Sequence, residues 1–273
     1  MRILFIHGRA QGGNSPDNLK KIWIATLEQG LNASGKALPD NIAIDFPFYG
    51  DKLDELTELA KMGDPEDLIA KGGGQDTEYQ EFIQSALNEI KERKEISDDI
   101  VAAEEGNQDI EEKGIQNWEW VHAIARFLDQ KFLKVSEFTI EKFLTDVYLY
   151  LNIPHVTTSI NRIVERELTD EPTVIVGHSL GSIVAYKIIE SNNINLRKFV
   201  TVGSPLGISA ISSKLGVAYN IAGNAGWYNA YDEGDIVALN PLVKPYFPTD
   251  PEIENYEPIP LIMSGCYNEF FRC

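Results

Sequence analysis

The chain contains only two cysteines and four histidines in 273 residues, and neither residue type follows a metal-ligand spacing. Both cysteines, Cys266 and Cys273, fall within the last eight residues, so they do not provide a disulfide framework for the fold. This usage fits a reducing compartment, and we expect a cytoplasmic protein. The sequence also predicts neither a metal ion nor an organic cofactor.

Basic residues are fewer than acidic residues, and the chain has no long apolar run. The chain has 24 Lys and Arg against 42 Asp and Glu, which gives a net charge of -18. Nucleic acids and anionic lipid surfaces would therefore be repelled. No segment approaches the roughly 18 apolar residues of a membrane helix, and the first apolar strand is too short for a secretory signal. The composition thus predicts a globular protein without a nucleic-acid partner or a membrane span.

The most informative segment surrounds residue 179. A β-branched run, Thr173–Val176, is typical of a buried parallel strand, and apolar residues at helical spacing follow from Ile183 onwards. Between them lies Gly177-His178-Ser179-Leu180-Gly181. A serine at a sharp strand-to-helix turn needs small residues two positions before and after it. The pattern predicts a nucleophilic Ser179; the alternative is a glycine-rich turn with an incidental serine.

Three further segments are short apolar strands, each followed by a loop that is rich in glycine, serine or aspartate. The strand Met1–Ile6 runs into His7-Gly8-Arg9-Ala10-Gln11-Gly12-Gly13, which lacks the Gly-Lys-Ser/Thr ending of a phosphate-binding loop. The strand Phe199–Val202 ends in Gly203-Ser204-Pro205-Leu206-Gly207. The strand that begins near Gly226 leads into an acidic turn that holds Asp232 and Asp235.

Together these motifs resemble the α/β-hydrolase family, and within it the intracellular lipases and esterases. The resemblance covers residues 1–13, about 41–51 and about 155–240. It implies a doubly wound, mostly parallel α/β sheet with Ser179 as the nucleophile and Asp235 as the triad acid. The main-chain amides of Leu180 and Arg9 would bind the oxyanion. Asp232 is the alternative acid, although the resemblance implies that it steadies the turn.

The histidines depart from the family pattern, in which the catalytic histidine follows the acid. All four histidines, His7, His122, His155 and His178, precede Asp235. The resemblance implies that His7 anchors the oxyanion loop, and His178 would point away from the neighbouring serine. Either His122 or His155 could act as the base only if the inserted region folds over the site; otherwise both are surface or packing residues.

The end of the chain is unusual for such an enzyme. After about Glu257 it is apolar, interrupted by prolines and without periodicity. We expect a truncated or altered C-terminus relative to members that carry the histidine; the alternative is a divergent, catalytically weakened member.

Helical patterns dominate residues 51–146, which predicts a helical cap inserted into a core made of residues 1–50 and 147–273. Trp118 and Trp120 begin an apolar helix that we expect to bind the acyl chain of a substrate. Packing of this helix onto the core, or a homodimer, is the alternative.

The sequence therefore predicts a serine hydrolase that cleaves a carboxylic ester or thioester through an acyl-Ser179 intermediate. Its substrate would be a small acyl ester or a lipid. The alternative is a hydrolase-fold binding or signalling module with impaired turnover, which the missing histidine favours.

Overall fold

The computed structural model describes residues 1–62, 75–105, 118–133, 139–216 and 221–257. The apolar tail and both cysteines lie outside these ranges, so the expectation of an altered C-terminus concerns residues that the structure does not describe.

The described strands form one six-stranded sheet in which every neighbouring pair is parallel. The strands are β1 (Arg2–Ile6), β2 (Ala43–Asp45), β3 (Thr173–His178), β4 (Leu196–Val202), β5 (Trp227–Ala230) and β6 (Glu254–Tyr256). Their spatial order is β2-β1-β3-β4-β5-β6, so the chain starts in the middle and winds outwards in both directions. The predicted doubly wound α/β class is confirmed.

Helices connect the strands from β1 to β5 and fill the segment between β2 and β3, whereas β5 and β6 are joined by turns. They are α1 (Pro16–Ala33), α2 (Gly50–Met62), α3 (Gln75–Arg93), α4 (Asp98–Glu105), α5 (Trp118–Phe132), α6 (Ile140–Asn152), α7 (Pro154–Glu165), α8 (Leu180–Ser191) and α9 (Ser209–Leu215). Side-chain caps begin two of them: the Ser15 hydroxyl accepts from the Asn18 amide at α1, and the Thr139 hydroxyl accepts from the Lys142 amide at α6.

The two faces of the sheet pack against different helices. Along β1, Ile3 and Phe5 point to one face, where they contact Trp23 of α1. Leu4 and Ile6 alternate to the opposite face and join the larger hydrophobic cluster, which includes α7 and α8. Because β1 is buried on both faces, all five of its residues are withdrawn from solvent, as a central parallel strand requires.

The helices of the inserted segment share this larger core. Side chains on α3, α5 and α6 belong to the same cluster as the sheet residues: Ile83, Leu87, Ile124, Leu128, Phe143 and Leu144. The division into a core and a cap stays a prediction. No helix in the described ranges combines the length and the apolarity needed to cross a membrane.

Parallel strands bring their carboxyl ends to one edge of the sheet. The loops that follow β1, β3, β4 and β5 therefore meet at the same edge, and they carry Arg9, Ser179, Ser204 and Asp235.

Candidate active site

Ser179 lies at the turn between β3 and α8, with φ 51° and ψ -128°. Its amide donates to the carbonyl of Val202 at 3.1 Å, and its carbonyl accepts from the amide of Ser182 at 2.9 Å. A positive φ at a residue with a side chain costs about 1–3 kcal/mol and persists where the surroundings enforce it. Ser179 is thus held in a strained turn by hydrogen bonds to β4 and to the first turn of α8.

Gly177 and Gly181, two positions before and after the serine, permit this turn because other backbone atoms lie where their Cβ atoms would be. A Cβ atom on Gly177 would lie 2.7 Å from the Cα of Ser182. A Cβ atom on Gly181 would lie 2.2 Å from the carbonyl oxygen of Ile6. Both neighbours are backbone atoms, so no larger residue fits without displacing α8 from the sheet.

The glycine-containing loop after β1 lies directly beside the serine. A Cβ atom on Gly8 would be 2.9 Å from the Cβ of Ser179 and 3.3 Å from the carbonyl oxygen of His178. The next residue in the loop is Arg9, and Leu180 is the first residue of α8. The structure therefore brings together Ser179 and the two residues whose amides were predicted to bind an oxyanion.

His7 is a buried, neutral residue that fixes this loop. Its Nδ1 lies 2.7 Å from the carbonyl oxygen of Gly8, and its Nε2 accepts from the amide of Tyr49 at 3.1 Å. Because Nε2 accepts, the proton resides on Nδ1 and is donated to Gly8. The ring stacks on Tyr49 with 4.0 Å between centroids, and burial lowers the pKa of His7 to about 4.

Arg9 is held by a carboxylate on α6. Its Nε donates to Asp146, whose second carboxylate oxygen accepts from the Thr57 hydroxyl at 3.0 Å. The two charged side chains are 10% and 2% exposed, so this is a buried ion pair. The partners are 137 positions apart, so no local sequence pattern connects them.

The acidic turn after β5 distinguishes its two aspartates. Asp235 is buried, and its carboxylate accepts from the amide of Val237 at 2.8 Å. The Asp232 carboxylate accepts from the amide of Gly234 at 2.7 Å and thereby closes the turn. Since β4 separates β3 from β5, the ends of the two strands that precede Ser179 and Asp235 are about 10 Å apart, two strand spacings.

Lys94, the residue after α3, contacts this acidic turn. Lys94 donates to the carbonyl of Glu233, and its Nζ lies 5.1 Å from the centroid of the Phe132 ring. Burial lowers the pKa of Lys94, while the nearby carboxylates of Asp235, Asp232 and Glu233 oppose that shift. The sequence carried no signal for this contact, because Lys94 lies in a charged, solvated stretch.

Glu89 on α3 makes a second polar connection to the sheet edge. It accepts from the amide of Ser209 at 2.7 Å and from the side-chain amide of Asn240 at 2.9 Å. The inserted segment is therefore joined to loops of the sheet by polar contacts as well as by the shared core.

The other three histidines lie in different environments; of these, His122 and His155 are the two that the sequence left open as the base. His122 Nδ1 lies 3.1 Å from a carboxylate oxygen of Glu141, and His155 is exposed at the rim of a large cavity. His178 meets the Trp23 ring edge-on with centroids 5.8 Å apart, and burial lowers the pKa of His178 to about 4. Within the described ranges, no side chain is hydrogen-bonded to the Ser179 hydroxyl.

The two tryptophans predicted to bind substrate lie in different environments. Trp118 lines a cavity of about 760 Å³, which also reaches Arg9. Trp120, two positions along α5, is 3% exposed and belongs to the hydrophobic core. The helix thus presents only the first of these indoles to the cavity.

Comparisons with protein-family models, with curated proteins and with solved structures found no match for this chain. Among the residues that the structure describes, no group of three or more His, Cys, Asp or Glu side chains could hold a metal ion. The functional interpretation therefore depends on the geometry around Ser179.

Proposed function

We propose that this chain is a serine hydrolase that cleaves a carboxylic ester or thioester through an acyl-Ser179 intermediate. The observation that carries the proposal is the strained backbone of Ser179 at the start of α8, with Gly8 packed against it. Strain of this kind is retained where the surroundings enforce it, and it is concentrated at functional sites. A turn of this kind holds the serine side chain beside main-chain amides that face one point. Ser179 itself is 7% exposed, so it lies beneath the surface at the edge of the sheet.

The reaction would begin with attack of the Ser179 oxygen on the carbonyl carbon of the substrate. The carbonyl electron pair moves to the oxygen, and the resulting oxyanion accepts hydrogen bonds from the amides of Leu180 and Arg9. Collapse of this intermediate expels the alcohol or thiol, with the serine proton transferred to it. Water then cleaves the acyl-serine and releases the carboxylic acid.

The acid in this proposal is Asp235, and Asp232 steadies the turn. One observation supports this assignment: Asp235 is the more buried of the two. Asp235 would orient an imidazole and stabilise its protonated form. None of the four histidines is assigned to that position.

The second candidate is a hydrolase-fold binding or signalling module with impaired turnover. The contacts of the histidines favour it, because His7 is committed to Gly8 and Tyr49 while His122 is paired with Glu141. A module of this kind would bind a small acyl ester or lipid without releasing product. In either case we place the protein in the cytoplasm, on the ground of its cysteine usage, and leave a homodimer open.

The deciding experiment is labelling of the purified chain with a fluorophosphonate, which reacts covalently with an activated serine. We expect the wild type to be labelled, because an oxyanion hole alone retains about a thousandfold catalysis over water. Ser179→Ala should not be labelled. Ser213→Ala, on an exposed serine of α9, is the matched control and should be labelled as the wild type is. Labelling that persists in Ser179→Ala would overturn the assignment.

A further inference from the structure

The carbonyl oxygen of Ser179 accepts two hydrogen bonds from a single residue of α8. The amide of Ser182 donates to it at 2.9 Å, and the hydroxyl of Ser182 donates to it at 2.6 Å. Ser182 is 0% exposed, so its hydroxyl makes this bond in a surrounding of low dielectric constant, where hydrogen bonds are stronger than in water. The peptide group that follows the proposed nucleophile is therefore bonded firmly at its oxygen.

A second buried hydroxyl fixes the direction of the first. The Oγ of Ser204, in the loop after β4, lies 2.7 Å from the Oγ of Ser182. A serine hydroxyl has one hydrogen to donate and two lone pairs that accept. Because the hydrogen of Ser182 is donated to Ser179, the hydrogen between the two hydroxyls belongs to Ser204. The Ser204 oxygen in turn accepts from the amide of Leu206 at 3.3 Å.

These bonds form a chain in which every hydroxyl both donates and accepts. The chain runs from the amide of Leu206 through the two hydroxyls to the carbonyl of Ser179. A buried hydroxyl without a partner is costly, and this arrangement leaves neither hydroxyl in that state. In such a chain, each group that accepts a hydrogen bond becomes a stronger donor itself.

The chain ends on the peptide group that also carries the amide of Leu180. The Ser179 carbonyl and the Leu180 amide share one planar, resonance-stabilised peptide group. Hydrogen bonds to its oxygen draw electron density away from its nitrogen, so the N–H group becomes a stronger donor. Leu180 is the first residue of α8, where the amides have no acceptor within the helix. This amide is one of the two proposed to bind the oxyanion.

We propose that Ser182 and Ser204 are positioning residues, which polarise the Ser179–Leu180 peptide group and thereby strengthen the amide that binds the oxyanion. The inference rests on the proposed hydrolase function. Neither hydroxyl touches the substrate; both act through the peptide group. The amide of Ser179 is held by Val202, so the end of β4 and the loop after it fix the peptide groups on both sides of the nucleophile. That loop therefore contributes to the site although it supplies none of the reacting groups.

The first test measures fluorophosphonate labelling of the full chain over a range of probe concentrations. An oxyanion donor contributes about 100–1000-fold in rate, and a bond in a chain strengthens the next by about 10–30%, so the maximal labelling rate should fall about two- to eightfold in Ser182→Ala. The half-saturating probe concentration should not change, because the lost effect acts in the transition state. A maximal rate equal to that of the wild type would overturn the proposal.

A double-mutant cycle tests the direction of the chain. Ser204→Ala alone should slow labelling by a smaller factor than Ser182→Ala does. Added to Ser182→Ala, it should cause no further loss, because Ser204 acts only through the Ser182 hydroxyl. Independent effects of the two substitutions would overturn the chain.

The matched control is Ser212→Ala on α9. Ser212 is 1% exposed, and its hydroxyl donates to the carbonyl of Ile208 at 3.2 Å, so the substitution removes a buried hydroxyl of the same kind on another helix. We expect labelling at the rate of the wild type. Slowing equal to that of Ser182→Ala would assign the effect to a general loss of packing and overturn the proposal.

A spectroscopic measurement follows the chain without any reaction. The carbonyl carbon resonance of Ser179 reports the hydrogen bonds to its oxygen. It should move upfield in Ser182→Ala, move less in the same direction in Ser204→Ala, and stay unchanged in Ser212→Ala. If Ser182→Ala does not fold, Ser204→Ala decides by the same two measurements. An unchanged resonance in the folded variants overturns the proposal.

The labelling experiment separates this proposal from the proposed function. Absence of labelling in the wild type overturns the hydrolase, and the role of the two serines in oxyanion binding is overturned with it. Labelling at Ser179 that is equally fast in Ser182→Ala supports the hydrolase and overturns this inference alone.

Discussion

Arg9 and Asp146 form a buried ion pair that joins the loop after β1 to helix α6. The loop carries the amide proposed to bind the oxyanion, and the helix belongs to the inserted segment. His7 fixes the same loop through Gly8 and through Tyr49, which follows β2. The position of the Arg9 backbone therefore depends on contacts with the segment after β2 and with α6.

We predict that Asp146→Ala lowers the free energy of unfolding by about 3 kcal/mol, because it leaves the Arg9 charge buried without its carboxylate. Urea unfolding of purified protein measures this change. Fluorophosphonate labelling of Ser179 should also slow, since the loop loses its anchor. The control is Glu190→Ala, which removes an exposed pair with Lys187 and should cost less than about 1 kcal/mol. Equal stability of the two variants would contradict the prediction.

We predict that Gly8→Ala slows labelling of Ser179 at least about tenfold, which corresponds to about 1.4 kcal/mol of activation free energy. The added methyl would lie 2.9 Å from the Cβ of Ser179 and must displace the loop or the serine. Gly30→Ala provides the control on α1, where a Cβ meets no atom within 4 Å. That substitution should leave labelling unchanged and stabilise the helix by about 0.5–1 kcal/mol. Unimpaired labelling of Gly8→Ala would show that the loop is not packed on the serine.

The buried neutral state of His7 should make stability depend on pH. Its pKa is lowered from 6.5 to about 4 in the folded protein, so between these values the unfolded chain binds more protons. Stability from this residue is therefore present above pH 6.5 and is lost as the pH falls towards 4. Between pH 6 and pH 5, the wild type should lose about 1 kcal/mol more than His7→Asn, as measured by urea unfolding at both values. Parallel pH profiles of the two proteins would contradict the assignment.

The identity of the base can be tested with the other histidines. We predict slow ester turnover that is unchanged in His122→Ala and in His155→Ala, because His122 is paired with Glu141 and His155 is exposed at the cavity rim. Added imidazole should accelerate turnover of the wild type but not of Ser179→Ala, since it supplies the missing proton acceptor. A steady-state assay with a chromogenic ester measures both effects. Rapid turnover that disappears in either histidine variant would show that the inserted segment provides the base.

The local features around Ser179 could be read from the sequence, because they depend on residues close together in the chain. A β-branched run, two glycines and a helical repeat within about twenty positions determine a buried strand, a tight turn and a helix. The same reasoning gave the parallel α/β class, since strands joined through helices pair in parallel. Periodicity also placed both tryptophans in one helix, but it did not tell which would face a cavity. Residues two apart on a helix point in different directions, and the neighbouring helices decide between them.

Only the tertiary structure decided how distant side chains combine around the proposed site. The partners Arg9 and Asp146 are 137 positions apart, and Lys94 and the carbonyl it binds at Glu233 are 139 apart. The cavity likewise exists because α2, α3, α5, α6 and α7 pack around it, and each helix contributes residues that are ordinary on their own. A sequence pattern records the face that a helix buries, whereas the pairing of buried charges and the space left between helices arise only when those faces meet.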